Sequence, residues 1–417
     1  MSERLFITHL NARGEGIASY QGKDIPVPYS LPGEIIEADI IESKNVSWAK
    51  INRISQPSQD RIPASCPHYQ VCGGCALQHV KLESYRDFKK QQVVRALTEQ
   101  KLATDLVEDP VIIGPQVRRR IDFMARKFPD RLAMGFYEKN NRRRIDLRTC
   151  LVVDPRIEKL FEPLFDLLGQ ILNMREETHI FILAAENGVD LLLAGFKRDL
   201  TDLEKEHLIS FAQKQDLVRL TYKVKSRATV VYERQTPYVC FSRHKVEVNP
   251  NVFLQTSAKA DVLLAQLVCE AIPEDSKRIA DLFCGRGTFS VPLTEKSYQV
   301  DGFEGDQHAI TALEKLALPN LNLKIRDLFA YPLQPKELQS YDAVVLNPPR
   351  SGVKKQVFSL AEAEVPLIVY VSCNPETFAI DVRELVRRGY QIQKITPVDQ
   401  FMWSPHVEVV GILQRTE

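Results

Sequence analysis

The chain has 417 residues, more than one ordinary domain needs, and its 44% hydrophobic and 26% charged content is globular and excludes wholesale disorder. Lys and Arg total 55 against 54 Asp and Glu, a balance that neither requires nor excludes a nucleic-acid partner. The opening MSERLFITHLNARGEG lacks a basic-then-apolar leader and no apolar run reaches bilayer length, so a cytoplasmic protein without membrane contact is expected. In that reducing compartment the eight cysteines are expected to be metal ligands, catalytic groups or small buried hydrophobes, not disulfides.

Residues 1–58 read as short strands punctuated by turns, with Gly14, Gly16 and Gly22 at turn positions, which predicts a small OB-like β-barrel. They resemble a TRAM domain, a small RNA-binding barrel, and QPSQDRIPAS follows as a linker. Next, CPHYQVCGGC sets Cys66, Cys72 and Cys75 in a C-x5-C-x2-C array on a Gly-rich loop, with Cys150 in DLRTC as the fourth thiol. Gly73 and Gly74 allow tight wrapping and leave N–H groups free for sulfur, so the array predicts a metal site; spacing admits both zinc and an iron-sulfur cluster. His68 and His79 lie nearby and read as packing or surface residues.

From Leu82 to Leu102, apolar residues at helical spacing predict an amphipathic helix on a domain face. Residues of about 105 to 245 mix β-like runs such as THIFILAAENGVDLLLAGF with a helix near Asp202 to Lys214, an α+β middle region. Within it, residues 116–148 hold eleven Lys or Arg against four Asp or Glu. RRR occurs at 118–120 and 142–144, with Phe123, Phe128, Phe136 and Tyr137 interleaved. Cations neutralise phosphates and aromatic rings stack unpaired bases, so this segment predicts RNA binding.

After Asn249 strands and helices alternate, the pattern of a mostly parallel sheet covered on both faces. The last two strands, YQIQKITP and VEVVGILQR, are expected as an antiparallel edge pair. In ADLFCGRGTFSVP a strand runs into Gly285 and Gly287 and then a helix, and Glu304 ends the next strand, where a carboxylate accepts hydrogen bonds from ribose hydroxyls. Ser290 replaces the third glycine of G-x-G-x-x-G, and both a dinucleotide and S-adenosylmethionine suit these residues. DAVVLNPPR favours the latter: two prolines make a rigid turn, and the Asn347 amide offers a donor and an acceptor to a planar polar group. Arg350 stands where adenine-N6 methyltransferases carry an aromatic residue, which disfavours that chemistry.

VYVSCNPETF delivers Cys373 to the end of the strand after N-P-P. Uracil C5 is a poor nucleophile, but a thiolate added at C6 turns it into an enolate carbon able to attack a methylsulfonium, a step that selects a soft nucleophile that also leaves well. A proton must then leave C5, which demands a general base. WSPHVEVVGIL supplies Glu408, with His406 two residues earlier in a structural or substrate-orienting role.

Taken in order, FLQTS, DLFCGRGTF, GFEGD, LNPPR, VSCNPETF and SPHVEVV resemble the RNA (uracil-C5) methyltransferase family over the whole chain. The resemblance implies Cys373 as nucleophile and Glu408 as base, with Gln255, Phe283, Glu304 and Asn347 lining the S-adenosylmethionine site. It also implies a [4Fe-4S] cluster on Cys66, Cys72, Cys75 and Cys150. The family usually has Asp at the position of Asn347 and often Asn at that of Thr288, so the contact made by Asn347 loses its charge. The expected fold is multidomain: a TRAM/OB-like barrel over 1–58, a central α+β iron-sulfur and RNA-binding domain over 59–248, and a Rossmann-like class I methyltransferase domain over 249–417. The expected partner of this monomer is RNA, with 23S rRNA favoured and the uridine in a loop or flipped outward. The rival expectations are a tRNA uridine-C5 methyltransferase, an RNA cytosine-C5 methyltransferase, and a non-catalytic iron-sulfur RNA-binding or ribosome-assembly factor.

Overall fold

The computed structural model describes residues 2–42, 47–139, 143–249 and 251–416. Strands β1 (Ser2–Leu10), β2 (Gly16–Tyr20), β3 (Lys23–Val27), β4 (Ile35–Glu42) and β5 (Ser47–Gln56) form an antiparallel sheet in the order β3-β2-β1-β4-β5. Alternation turns Leu5 and Ile7, Ile25 and Val27, and Ile36 and Ala38 into one shared core. Arg61 closes the exit from this sheet with two bonds to Glu34, Nε to Oε1 at 2.6 Å and Nη2 to Oε2 at 2.9 Å. The segment expected between β4 and β5 at residues 43–46 lies outside the described residues.

Helix α1 (Leu82–Glu99) and β6 (Val111–Ile112) come next, and both pack with the last sheet of the chain. Strands β7 (Arg120–Lys127) and β8 (Leu132–Gly135) open the second sheet, followed by α2 (Pro155–Glu158), α3 (Phe161–Ile171), β9 (Glu177–Ala185), β10 (Gly188–Phe196), α4 (Asp202–Lys214), β11 (Leu217–Val224) and β12 (Arg227–Glu233). The order is β12-β11-β10-β9-β7-β8. Helix α4 starts where the sequence places it, because Thr201 and Glu204 form a reciprocal capping box. One face of this sheet buries Ile121, Ile180, Ile182 and Leu191 with Phe161 and Leu164 of α3 and Leu208 of α4. A hairpin, β13 (Tyr238–Phe241) and β14 (His244–Glu247), leads into the final region.

That region runs α5 (Ala258–Ala271), β15 (Arg278–Leu282), α6 (Ser290–Glu295), β16 (Gln299–Glu304), α7 (Gln307–Glu314), β17 (Leu321–Ile325), α8 (Pro335–Leu338), β18 (Ala343–Leu346), α9 (Gln356–Ala363), β19 (Leu367–Ser372), α10 (Pro375–Val386), β20 (Tyr390–Asp399) and β21 (Glu408–Arg415). The eight-stranded sheet has the order β17-β16-β15-β18-β19-β21-β20-β6. Both faces are covered: Ile368 and Tyr370 point into one core and Leu367, Val369 and Val371 into the other, which explains the unbroken apolar run. Among the described residues no helix is long and apolar enough to cross a membrane.

Two expectations need correction. Strand β21 is not at an edge: it pairs antiparallel with β19 on one side and β20 on the other, so Glu408 starts an interior strand. Residues 82–112 do not group with the central region as the 59–248 boundary supposes. Val93, Ala96 and Leu97 of α1 find their apolar partners in the core of the last sheet, and the fully buried Lys89 pairs with Asp399 at the end of β20, 2.9 Å away.

Candidate active site

Strand order reverses between β15 and β18, and ligands of open α/β sheets bind in the crevice at such a point, outside the carboxyl ends of the strands. There the structure gathers the sequence-predicted residues. Phe283 leaves β15 with a left-handed φ of +63°, rare for an aromatic residue, and its ring meets Phe329 at 5.2 Å. Gly287, at φ +90°, allows the turn to approach α7, since a Cβ there would meet Leu313 at 2.7 Å. Glu304 accepts N–H bonds from Gly285, Gly305 and Asp306 at 2.9, 2.7 and 2.9 Å, so the acid after β16 buckles the glycine loop to its own turn. Asn347 is half-buried at the end of β18. Asp281, missed by the sequence reading, is fully buried in β15; Ser290 donates to its Oδ2 at 2.5 Å while Oδ1 has no protein partner. Burial pushes its carboxyl up to about 7.

Cys373 sits between β19, which ends at Ser372, and α10, which starts at Pro375. Asn374 makes this abrupt junction: its Oδ1 accepts from Glu376 N–H at 3.1 Å as the helix cap, and its Nδ2 donates to the Arg350 carbonyl at 3.1 Å. The proline at the first helical position needs no N–H partner. Ser372 pairs with Val409, so Cys373 and Glu408 are the next residues along neighbouring antiparallel strands. Burial and then the Glu408 charge raise the Cys373 thiol, while Arg350 pulls it back. Arg350 also reaches His406, with Nη2 2.9 Å from Nδ1. His406 is exposed, yet the atoms crowding its ring and the cations Arg350, Lys89 and Arg118 hold it down to about 4.

Glu408 is 2% exposed and its carboxyl is pushed up to about 7 by burial, against the pull of Gln400 and Arg350. Gln400 is a site residue that sequence reasoning missed. Thr256 donates to its Oε1 from N–H at 3.1 Å and from the hydroxyl at 2.8 Å, which aims the amide nitrogen. That nitrogen donates to Glu408 Oε2 at 2.7 Å and to Gln255 Oε1 at 2.8 Å, so one amide bridges the two side chains. The sequence signal was slight: Gln400 directly follows the last residue of β20, eight residues before Glu408.

Among the described residues no group of three or more His, Cys, Asp or Glu side chains lies close enough to hold a single metal ion. The four thiols Cys66, Cys72, Cys75 and Cys150 are nevertheless half-buried neighbours: after burial, the mutual repulsion of their charges raises Cys72, Cys75 and Cys150. One zinc ion would draw four sulfurs to within about 4 Å of one another at its bond length of about 2.3 Å. A four-iron cube holds its thiolates farther apart, and Gly74 N–H already points at Cys72 Sγ, 3.3 Å away. His79 is buried with Tyr69 against its Nδ1 at 2.5 Å, and His68 accepts from Arg148 N–H at 3.3 Å.

The basic segment divides by role. Phe123 is 3% exposed and packs edge-on against Phe136 and Phe161, so it cannot stack a base as the sequence suggested. Arg119 is 3% exposed and bound to Asp261 at 2.5 Å and to the Gln255 carbonyl at 3.2 Å, out of reach of phosphates. Tyr137 is exposed, with Arg144 over its ring at 5.1 Å. Residues 140–142, including the first arginine of the second RRR, lie outside the described residues.

Residues 329–416 match a family model described as tRNA (uracil-5-)-methyltransferase, and residues 243–364 match a methyltransferase small domain. Over 420 residues the chain is 36% identical to an RNA methyltransferase of Brucella suis biovar 1, covering 99% of this chain and 98% of that one. It is 29% identical over 423 residues to the 23S rRNA (uracil(1939)-C(5))-methyltransferase of Shewanella sediminis, covering 98% and 95%. Among solved structures, the Pyrococcus abyssi tRNA (uracil-54, C5)-methyltransferase in complex with S-adenosyl-L-homocysteine matches with a TM-score of 0.75 at 22% identity, over 99% of this chain and 100% of that one, a likeness of fold.

Proposed function

The chain belongs to the RNA (uracil-C5) methyltransferase family, and from that premise we propose that it methylates C5 of a uridine in 23S rRNA with S-adenosylmethionine, through Cys373 and Glu408. The observation that carries this is the pairing of a strand-end thiol with a buried carboxyl raised to about 7 on the adjacent strand. A carboxyl near neutrality suits a general base, because it is ionised often enough to act and basic enough to take a proton. The 29% identity to a 23S rRNA enzyme over 98% of this chain supports the rRNA reading.

In this mechanism the Cys373 thiolate forms a bond to C6 and the ring electrons move to C5. Bound S-adenosylmethionine supplies the methyl group that C5 accepts. Glu408 then takes the C5 proton, the C6–S bond breaks, and the thiolate departs with its electron pair. Arg350 offsets the negative charge at sulfur, which burial and Glu408 would otherwise keep protonated. Phe283, Glu304, Asn347 and Gln255 fit the cofactor: a ring for adenine, an oriented carboxylate for ribose hydroxyls, and two amides at the crevice. We read Cys66, Cys72, Cys75 and Cys150 as holding a [4Fe-4S] cluster that fixes the fold of the RNA-binding region.

The test uses total RNA from a strain lacking the gene, split into ribosomal and transfer fractions. Wild-type protein with S-adenosylmethionine should produce 5-methyluridine in the 23S fraction by nucleoside mass spectrometry. Cys373→Ala should produce none while binding RNA normally, and 5-fluorouridine transcripts should become trapped at residue 373. Methylation confined to tRNA overturns the substrate, 5-methylcytidine overturns the base, and no methylation at all supports a non-catalytic RNA-binding factor.

A further inference from the structure

A cavity of about 310 Å³ opens beside the catalytic crevice, on the face of the second sheet that α3 and α4 leave uncovered. Its floor follows from strand register. Arg120 pairs with Leu183 and Asp122 with Phe181, while Leu183 and Phe181 pair with Asp190 and Leu192, so these side chains share one face. The far wall is Asn251 and Val252, just before Gln255 in the chain. The extended backbone through the first RRR assigns opposite duties to its members. Arg119 turns inward to Asp261 and the Gln255 carbonyl; Arg118 and Arg120 on either side of it line the cavity. Neither of these two forms an ion pair among the described residues, whereas Asp190 is neutralised by two bonds from Arg219, at 3.0 and 2.7 Å.

We propose that this cavity is a subsite for one unpaired nucleotide of the RNA, its base lying against Phe181 and its phosphate on Arg118 and Arg120. The deduction rests on the RNA-modifying role proposed above and deepens it. The volume is at the lower end of the range of about 300–1,000 Å³ for ligand clefts, room for one base with its sugar and not for a duplex. His179 lies nearly parallel to Phe181 at 6.2 Å with an interplanar angle of 11°, which keeps the Phe181 ring in one orientation. Two guanidinium groups without a carboxylate partner provide the charge a phosphate requires, and an exposed Asp122 accepts a hydrogen bond from a base N–H. The wall contact ties the subsite to the chemistry: Arg120 Nη1 donates to the Val252 carbonyl at 3.1 Å, and Arg119 N–H to the Thr256 carbonyl at 2.8 Å, the residue that orients Gln400. A nucleotide seated here is therefore a chain neighbour of the target uridine.

The experiment measures binding of the full-length protein to a short single-stranded oligouridylate and to its duplex with oligoadenylate, with thermal unfolding as the fold control. Phe181→Leu keeps bulk without a ring and should weaken single-strand binding about tenfold; Phe181→Tyr restores the ring and should bind like wild type. An oligomer carrying 4-thiouridine should photocrosslink to the peptides bearing Phe181 or Asn251. Equal binding by a folded Phe181→Leu protein, a preference for the duplex, or crosslinks confined to other regions each overturns the subsite. Methyl transfer, assayed separately, tells the two ideas apart: its absence alongside the expected binding pattern removes the enzyme reading and leaves the subsite standing.

Discussion

Gln400 has its oxygen held by Thr256, so its two N–H groups have no freedom to turn away from Glu408 and Gln255. A donor to an ionised carboxylate is worth about 1.5–3 kcal/mol, or about one to two pKa units. In Gln400→Leu the Glu408 carboxyl should therefore rise beyond about 7, moving the acidic limb of the kcat profile for methyl transfer to higher pH by about a unit. The Cys373–RNA adduct should accumulate at the same time, since loss of the C5 proton becomes slow. An unshifted limb would mean that the carboxylate does not titrate in the rate-limiting step. Arg350 answers a different need: with burial and Glu408 both raising Cys373, one cation beside the sulfur is the local counterweight.

Helix α1 carries its own consequence at the level of elements. Tyr85 donates to Asp399 Oδ2 at 2.5 Å and accepts from Trp403 N–H at 2.8 Å, while Lys89 bonds both Asp399 and the His406 carbonyl. The helix thereby holds the segment between β20 and β21 that delivers Gln400, His406 and Glu408. Both charged side chains of the Lys89–Asp399 pair are fully buried, so removing one leaves an uncompensated charge. Lys89→Met should cost about 3–5 kcal/mol in urea unfolding. Adding Asp399→Leu should recover only part of that loss, because it removes the unpaired charge but leaves the Tyr85 hydroxyl and the Phe401 N–H without their acceptor. A sequence reading saw an amphipathic helix here but had no means of choosing its partner sheet.

Across the whole molecule Arg118 connects three features: it lines the cavity on the second sheet, and its charge reaches both Cys150 and, beside the crevice of the third sheet, His406. A cluster on Cys66, Cys72, Cys75 and Cys150, as proposed, would staple a loop near residue 70 to the irregular segment before α2 some eighty residues later. Anaerobically purified protein should contain iron and acid-labile sulfide in equal amounts, and Cys150→Ser should lose both. That variant should also bind RNA more weakly while its affinity for S-adenosylmethionine, measured by calorimetry, stays unchanged. Zinc without sulfide would replace the cluster by a single-ion site.

Local grammar in the chain was enough for a good deal of this. Alternating strands and helices after Asn249 announce a doubly covered sheet because both faces of a parallel strand must be apolar, and Asn374-Pro375 after an apolar run announces a strand that stops so that a helix can begin. The positions of Cys373, Glu408, Phe283, Glu304 and Asn347 at strand ends were legible for the same reason: each is attached to the end of an element whose identity is written in its neighbours. Tertiary packing alone decided that β21 inserts between β19 and β20, which moved Glu408 from an expected edge to a buried position where its affinity for protons changes. It alone separated Arg119 from Arg118 and Arg120, and chose the partner of α1. Sequence spacing determines which residues share a face; which surface covers that face, and hence the dielectric and the partners of every charge on it, is settled only when distant segments meet.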